Sequence, residues 1–228
     1  MRSEHTDKKY EEDLKRLRDH ILQMGGLVED QIQKAVNSLV QRDSPLAEAI
    51  IERDHEVNHL DVEIDDLCIR LLALHQPAGK DLRFITTALK ITTDLERIGD
   101  MAVNICERAL ELNWEPQLKP YIDIPRMAGI SQLMIHESLD AFVREDTELA
   151  LKVCKDDQEV DDLNSQVFRE TVSYMIEDPH TINRAMKVGF VSKYLERIAD
   201  HATNIAEMVV FMVKGKSIRH IKEIPQSI

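Results

Sequence analysis

Residues 95–107, Leu95-Glu96-Arg97-Ile98-Gly99-Asp100-Met101-Ala102-Val103-Asn104-Ile105-Cys106-Glu107, recur one hundred positions later as Leu195-Glu196-Arg197-Ile198-Ala199-Asp200-His201-Ala202-Thr203-Asn204-Ile205-Ala206-Glu207, with nine of the thirteen positions identical. Around both copies the apolar residues keep a helical step. Phe84, Ala88, Ile91, Leu95, Ile98, Ala102, Ile105, Ala109 and Leu112 advance by fours and threes, and Val188, Val191, Leu195, Ile198, Ala202, Ile205, Val209 and Met212 do the same. A stripe of that period sustained over such a length is the seam of a helix bundle. A second matching pair, Asp54-His55-Glu56-Val57-Asn58 and Asp157-Gln158-Glu159-Val160-Asp161, is offset by 103 positions, so the chain is an internal duplication.

The expected architecture is all-α: two tandem antiparallel three-helix bundles, residues 1–113 and 125–228, joined by a linker over 114–124 that holds Pro116 and Pro120. Stop and start signals at Asp43-Ser44-Pro45, Gln76-Pro77-Ala78-Gly79, Asp146-Thr147, Asp178-Pro179 and Gly215 predict six helices, near 8–42, 46–75, 80–112, 125–144, 147–177 and 181–214. Gly25-Gly26 inside the first of these predicts a bend or a close helix contact.

Composition narrows the function. With 228 residues, 43% of them apolar, the chain can bury a sizeable core. Its formal charge of −13 repels phosphate backbones, which excludes nucleic acid as a partner. Cys68, Cys106 and Cys154 are widely spaced and odd in number, as expected of reduced, buried thiols rather than of disulfides or a thiolate zinc site. The longest apolar run, Met208 to Val213, falls far short of the roughly 18 residues a span requires, and no signal-peptide pattern opens the chain. A soluble cytoplasmic protein without membrane insertion is the expectation.

Identical core residues in a repeat need only packing as their reason, whereas identical polar residues call for another. Glu96, Asp100, Asn104 and Glu107 fall within about 80° of one another on the helical wheel, away from the Leu95/Ile98/Ala102 seam, which predicts an acidic stripe on the outer face. Glu196, Asp200, Asn204 and Glu207 reproduce it. In the second helix Asp54, Asn58, Asp61 and Asp65 lie along one flank, and Asp157, Asp161 and Asn164 take the corresponding positions of the fifth. Carboxylates one helical turn apart repel one another unless a positive charge sits between them. A solvated face neutralised by Arg97 and Arg197 is one reading of the pattern. An oxygen-only ligand set for a hard cation such as Mg²⁺, Mn²⁺ or oxidised iron is the other.

A competing local motif is His55-Glu56-Val57-Asn58-His59, a literal H-E-x-x-H. Its chemistry would be that of a zinc metallohydrolase, with two His one turn apart on the metal and Glu56 as general base. The second repeat has Gln158 and Asp162 where the two His stand, and the wheel turns His55 and His59 toward solvent. The remaining His, His201 among them, have no partner pattern and read as surface residues.

The duplicated unit with Asp81-Leu82-Arg83, Leu95-Glu96-Arg97-Ile98-Gly99-Asp100 and Leu195-Glu196-Arg197-Ile198-Ala199-Asp200, together with Met24-Gly25-Gly26-Leu27-Val28-Glu29 and Val213-Lys214-Gly215, resembles the PhoU family over nearly the whole chain. The resemblance implies a cytoplasmic, usually dimeric adaptor that restrains the phosphate-starvation response and links a phosphate-specific ABC transporter, through its ATPase, to a sensor histidine kinase. It also implies paired (Glu/Asp)-x-x-x-Asp motifs that bind Mg, Mn or multinuclear iron. Glu96/Asp100, Glu196/Asp200 and Asp157/Asp161 match those motifs, while Asp54/Asn58 has an amide in place of the second carboxylate. On that count the second site, with one more carboxylate, is expected to bind its ion more tightly.

Overall fold

The computed structural model describes residues 2–218, with side chains from residue 8 onward; residue 1 and residues 219–228 of the expected bundles lie outside the described residues. The helices are α1 (Arg2–Val40), α2 (Ser44–Arg53), α3 (His55–His75), α4 (Gly79–Asn113), α5 (Asp123–Arg144), α6 (Thr147–Glu177) and α7 (Ile182–Lys214), with a 3-10 turn over Pro179–Thr181 before α7. No strand occurs among the described residues.

Local chemistry sets the ends. Asp43 accepts from the Leu46 N–H at 3.0 Å and Asp146 accepts from the N–H groups of Glu148 and Leu149, so each repeat starts its second helix on an Asp N-cap. Gly215 closes α7 in the left-handed conformation at φ 70°, and Arg83 reaches from α4 to donate its Nε–H to the free Met212 carbonyl at 2.9 Å. Arg42 donates to the carbonyls of Asn113 and Glu115, fastening the α1–α2 corner to the end of α4.

One helix departs from expectation. The span predicted as a single helix over 46–75 breaks at Asp54 into α2 and α3, because the chain tightens there: the Asp54 N–H bonds the Ile51 carbonyl and the Val57 N–H bonds the Asp54 carbonyl, both three residues back. No Gly or Pro marks the place, which is why the periodic pattern runs through it. The equivalent α6 is continuous.

Both repeats bury the seams that define them, and every residue named above on the α4 and α7 stripes is buried. The α4–α7 contact joins the halves, with α1 packed on both α4 and α5. Phe84 of α4 stacks on Phe142 of α5 at 5.1 Å between ring centres, so one apolar core runs through both three-helix units. α1 runs through Gly25 as one continuous helix, and Gly25 admits Leu139 of α5, whose Cδ1 a Cβ would overlap, whereas nothing lies near the position a Cβ of Gly26 would take. The three thiols are free; Cys68 and Cys106 are buried and Cys154 is half-buried.

Candidate functional site

The acidic stripe is not on an open outer face. Glu96 and Asp100 are half-buried, in a groove where α4 meets α3, and Glu196 is half-buried where α7 meets α6, with Asp200 exposed at the rim. The wheel places residues relative to their own helix only; a neighbouring helix packed beside the seam covers the flank as well.

In the first groove α3 contributes Asp54, Asn58 and Asp61, α4 contributes Glu96 and Asp100, and α1 contributes Gln31 from below. Asn58 donates its amide to Asp54 Oδ2 at 3.0 Å, so this pair forms within α3. Burial holds the Glu96 carboxyl above the usual carboxylate range, and the negative charges of Asp100, Asp61 and Asp54 push it further. Burial likewise raises Asp54, reinforced by Asp100 and offset by hydrogen bonds from the Asn58 and Gln31 side chains. Asp61, left out of the motif count, thus stands beside Glu96 as a fourth carboxylate.

In the second groove α6 contributes Asp157 and Asp161, and α7 contributes Glu196 and Asp200. Asp157 is the most perturbed: burial and then the charges of Asp200, Asp161 and Glu196 push it up to about 7, with the Thr203 hydroxyl beside it pulling the other way. Burial and Glu196 raise Asp161. A cation already lies at this groove, for Lys193 Nζ donates to Glu196 Oε1 at 2.5 Å. Asn164 does not join the carboxylates; it accepts from the Ser192 hydroxyl at 2.7 Å.

The repeats have therefore exchanged an acid and an amide by one turn. Asp54, Asn58 and Asp61 stand against Asp157, Asp161 and Asn164, so each groove holds four carboxylates. The premise for a tighter second site, one extra carboxylate, does not survive this pairing.

Carboxylate oxygens are the donor type that a hard cation takes. Glu196 Oε2 in the second groove is a buried acceptor without a hydrogen-bond partner, whereas Asp54 has the Gln31 side chain beside it and Asp157 has the Thr203 hydroxyl. Buried oxygens of that kind are costly unless a donor or a cation meets them. Among the described residues no three His, Cys, Asp or Glu side chains already converge as a closed ligand set. The carboxylates line the two grooves without being drawn onto one point.

The H-E-x-x-H motif is not assembled for chemistry. His55 Nδ1 lies 2.8 Å from the Glu52 carbonyl, His59 is 72% exposed and lies 3.8 Å from Glu63, and Glu56 is held by two hydrogen bonds from Arg53. His201 corrects the surface reading: it is half-buried and its Nδ1 pairs with Asp94 of α4. No periodic pattern within α7 signals that contact, since its partner comes from the other repeat.

The PhoU domain family matches residues 21–109 and 124–209, one match per repeat. A phosphate-specific transport system accessory protein PhoU homolog from Pseudomonas aeruginosa is 43% identical over 218 residues, covering 95% of this chain and 90% of that protein. The crystal structure of PhoU from Pseudomonas aeruginosa superposes with a TM-score of 0.87 at 43% identity, covering 91% of this chain and 100% of that one. That of the phosphate transport system regulatory protein PhoU from Streptococcus pneumoniae superposes with a TM-score of 0.86 at 30% identity, covering 92% and 99%.

Proposed function

Because the chain belongs to the PhoU family, we propose that it is a cytoplasmic negative regulator of the phosphate-starvation response, acting as an adaptor between a phosphate-specific ABC transporter and a sensor histidine kinase. It is a regulatory accessory protein and not an enzyme; the zinc hydrolase reading has no support in its relatives. The observation that carries the proposal is the match along almost the entire length to chains named as accessory proteins of phosphate-specific transport. Regulation is by contact in this reading, with two copies of the chain forming a homodimer. Among the described residues no helix is long and apolar enough to cross a membrane, so the transporter would be met at its cytoplasmic ATPase.

A divalent or iron cation (Mg, Mn or Fe) belongs to the same reading. Asp54, Asp61, Glu96 and Asp100, with Asn58 beside Asp54, would hold it in the first groove, and Asp157, Asp161, Glu196 and Asp200 in the second. Such an ion supplies positive charge to carboxylates that otherwise repel one another, and so ties α3 to α4 and α6 to α7. Deleting the gene is expected to leave phosphate-starvation genes expressed in phosphate-rich medium, and tagged protein from phosphate-rich cells is expected to capture the transporter ATPase and the kinase. Normal repression in the deletion strain would overturn the adaptor reading.

A further inference from the structure

Past Lys193, away from the carboxylates, α6 and α7 enclose an open cleft of about 570 Å³ lined by Phe168, Met175, Met186 and Phe190, with Arg169 and Lys193 at its edge. Phe168 is 65% exposed, Met186 47% and Phe190 46%, so the walls are apolar side chains left in water. The duplication supplies an internal control. The 103-residue offset carries Phe168 and Arg169 to Asp65 and Asp66, and the 100-residue offset carries Met186, Gly189 and Phe190 to Thr86, Leu89 and Lys90. At the same place the first repeat therefore turns Asp65, Asp66 and Lys90 to solvent and packs Leu89 against the core. Beside Gly189 a Cβ would meet only the Thr171 hydroxyl, at 4.0 Å, so the second repeat is open where the first is filled. The fold is thus built equally well with a charged face here, and packing gives no reason for two of the five Phe of the chain to stand in water.

We propose that this cleft docks an acidic amphipathic α-helix of a partner protein, its apolar stripe on Phe168, Met186 and Phe190 and its flanking carboxylates at Arg169 and Lys193. The lining runs from Asn164 to Met175 along α6, roughly 17 Å or three helical turns. That is the footprint of a helix seated by apolar anchors at i, i+3 or i+4, and i+7, and Met side chains adapt readily to such a guest. A small molecule is usually buried over most of its surface, which walls half in water do not achieve. Charge selects among helices. In a chain of net charge −13 the lining holds two cations and no carboxylate. Glu196 already engages Lys193, whereas Arg169 has no ion pair among the described residues. An acidic helix gains the Arg169 pair and a basic one meets its repulsion. The same charges count against a second copy, because a two-fold contact of this cleft with itself sets cations against cations. The proposal rests on the regulation by contact put forward above and names the chemistry of one contact.

The test is a display library of helical peptides about 15 residues long, apolar at the anchor spacing and randomised elsewhere, selected on the full chain and then measured as synthetic peptides by fluorescence anisotropy. Enriched peptides are expected to be net acidic. They are expected to bind Phe168→Asp/Phe190→Lys, which copies the surface of the first repeat, roughly thirty-fold more weakly than the wild type, as loss of aromatic anchors does. Arg169→Glu is expected to favour versions of the same peptides with Lys in place of Glu, a reversal that a damaged fold would not produce. Thermal melts of these variants are expected to match the wild type, because the replaced side chains are exposed. Enriched peptides that bind the double variant equally well, enrichment without a preference for acid, or no enrichment at all would each overturn the proposal. A changed oligomeric state of the double variant in sedimentation equilibrium would also overturn it, by making the cleft a contact between copies. Each of these failures leaves the adaptor reading to its own test, the deletion strain.

Discussion

Nδ1 of His201 in α7 lies 2.8 Å from Oδ1 of Asp94 in α4, and the two side chains are only 18% and 15% exposed. The pair therefore bridges the two repeats across their shared core. The duplication offset carries Asp94 to Tyr194 and His201 to Met101, so the symmetric position has no counterpart to the bond. Hydrogen bonds of this class are worth about 1.5 to 3 kcal/mol when one partner is charged, and about 1 kcal/mol when neither is. Asp94→Asn and His201→Ala are each expected to lower unfolding free energy by about 1 kcal/mol, and the double variant by less than the sum. Urea unfolding of the four proteins at pH 7 measures the coupling, and strict additivity would show that the pair contributes nothing.

The metal-free protein should lose stability as pH rises toward neutrality. Asp157 has an ordinary value of 3.8 and is pushed up to about 7 in the fold by burial and by its acidic neighbours. Between those values the folded protein holds a proton that the unfolded chain has released. Its stability therefore falls as pH rises through that window, and above about 7 the full penalty remains. Asp157→Asn removes the charge, so it should stabilise the chelated protein at pH 8 by on the order of 1 kcal/mol, discounted for solvent screening, and change little near pH 4. Thermal melts at the two pH values distinguish this from a uniform effect.

Adjacent glycines in α1 should respond in different ways to the same substitution. Gly26→Ala meets nothing and gains roughly 0.5 to 1 kcal/mol of helix propensity. Gly25→Ala gains the same propensity but drives its methyl into the buried Leu139, and overpacking of that kind costs about 1 to 3 kcal/mol. Denaturant midpoints should place Gly25→Ala at least about 1 kcal/mol below Gly26→Ala, and equal midpoints would mean that α5 yields freely at this contact.

His55→Ala/His59→Ala should leave both stability and Mn²⁺ binding within error of the wild type. Neither ring touches a carboxylate of the first groove, and Glu56 is occupied by Arg53. A zinc-dependent peptidase assay is expected to show no activity above a buffer blank. Activity lost in the double variant would revive the motif as a site.

The periodicity of residues 84–112 and 188–212, with the repeated Leu-Glu-Arg-Ile blocks, determined the helical class, the duplication and which faces are buried, because a seam read in single steps of three and four depends on one helix at a time. Caps at Asp43 and Asp146 were legible for the same reason: the bonding is complete within four residues. The acidic residues of both grooves were legible as types at helical spacing. Their environment was not. Whether Glu96 faces water or a groove depends on where α3 lies, and the break at Asp54 is a tightening of the turn that no Gly or Pro announces. The pairing of Asp61 with Glu96, the reach of Gln31 from α1 past Gly99, the hold of Lys193 on Glu196 and the His201–Asp94 bridge were decided only by the tertiary structure. The reason is range. A helical wheel orders side chains around their own axis, whereas the partner of a flank residue, and with it the burial and charge it experiences, is set by which other helix the shared core draws alongside.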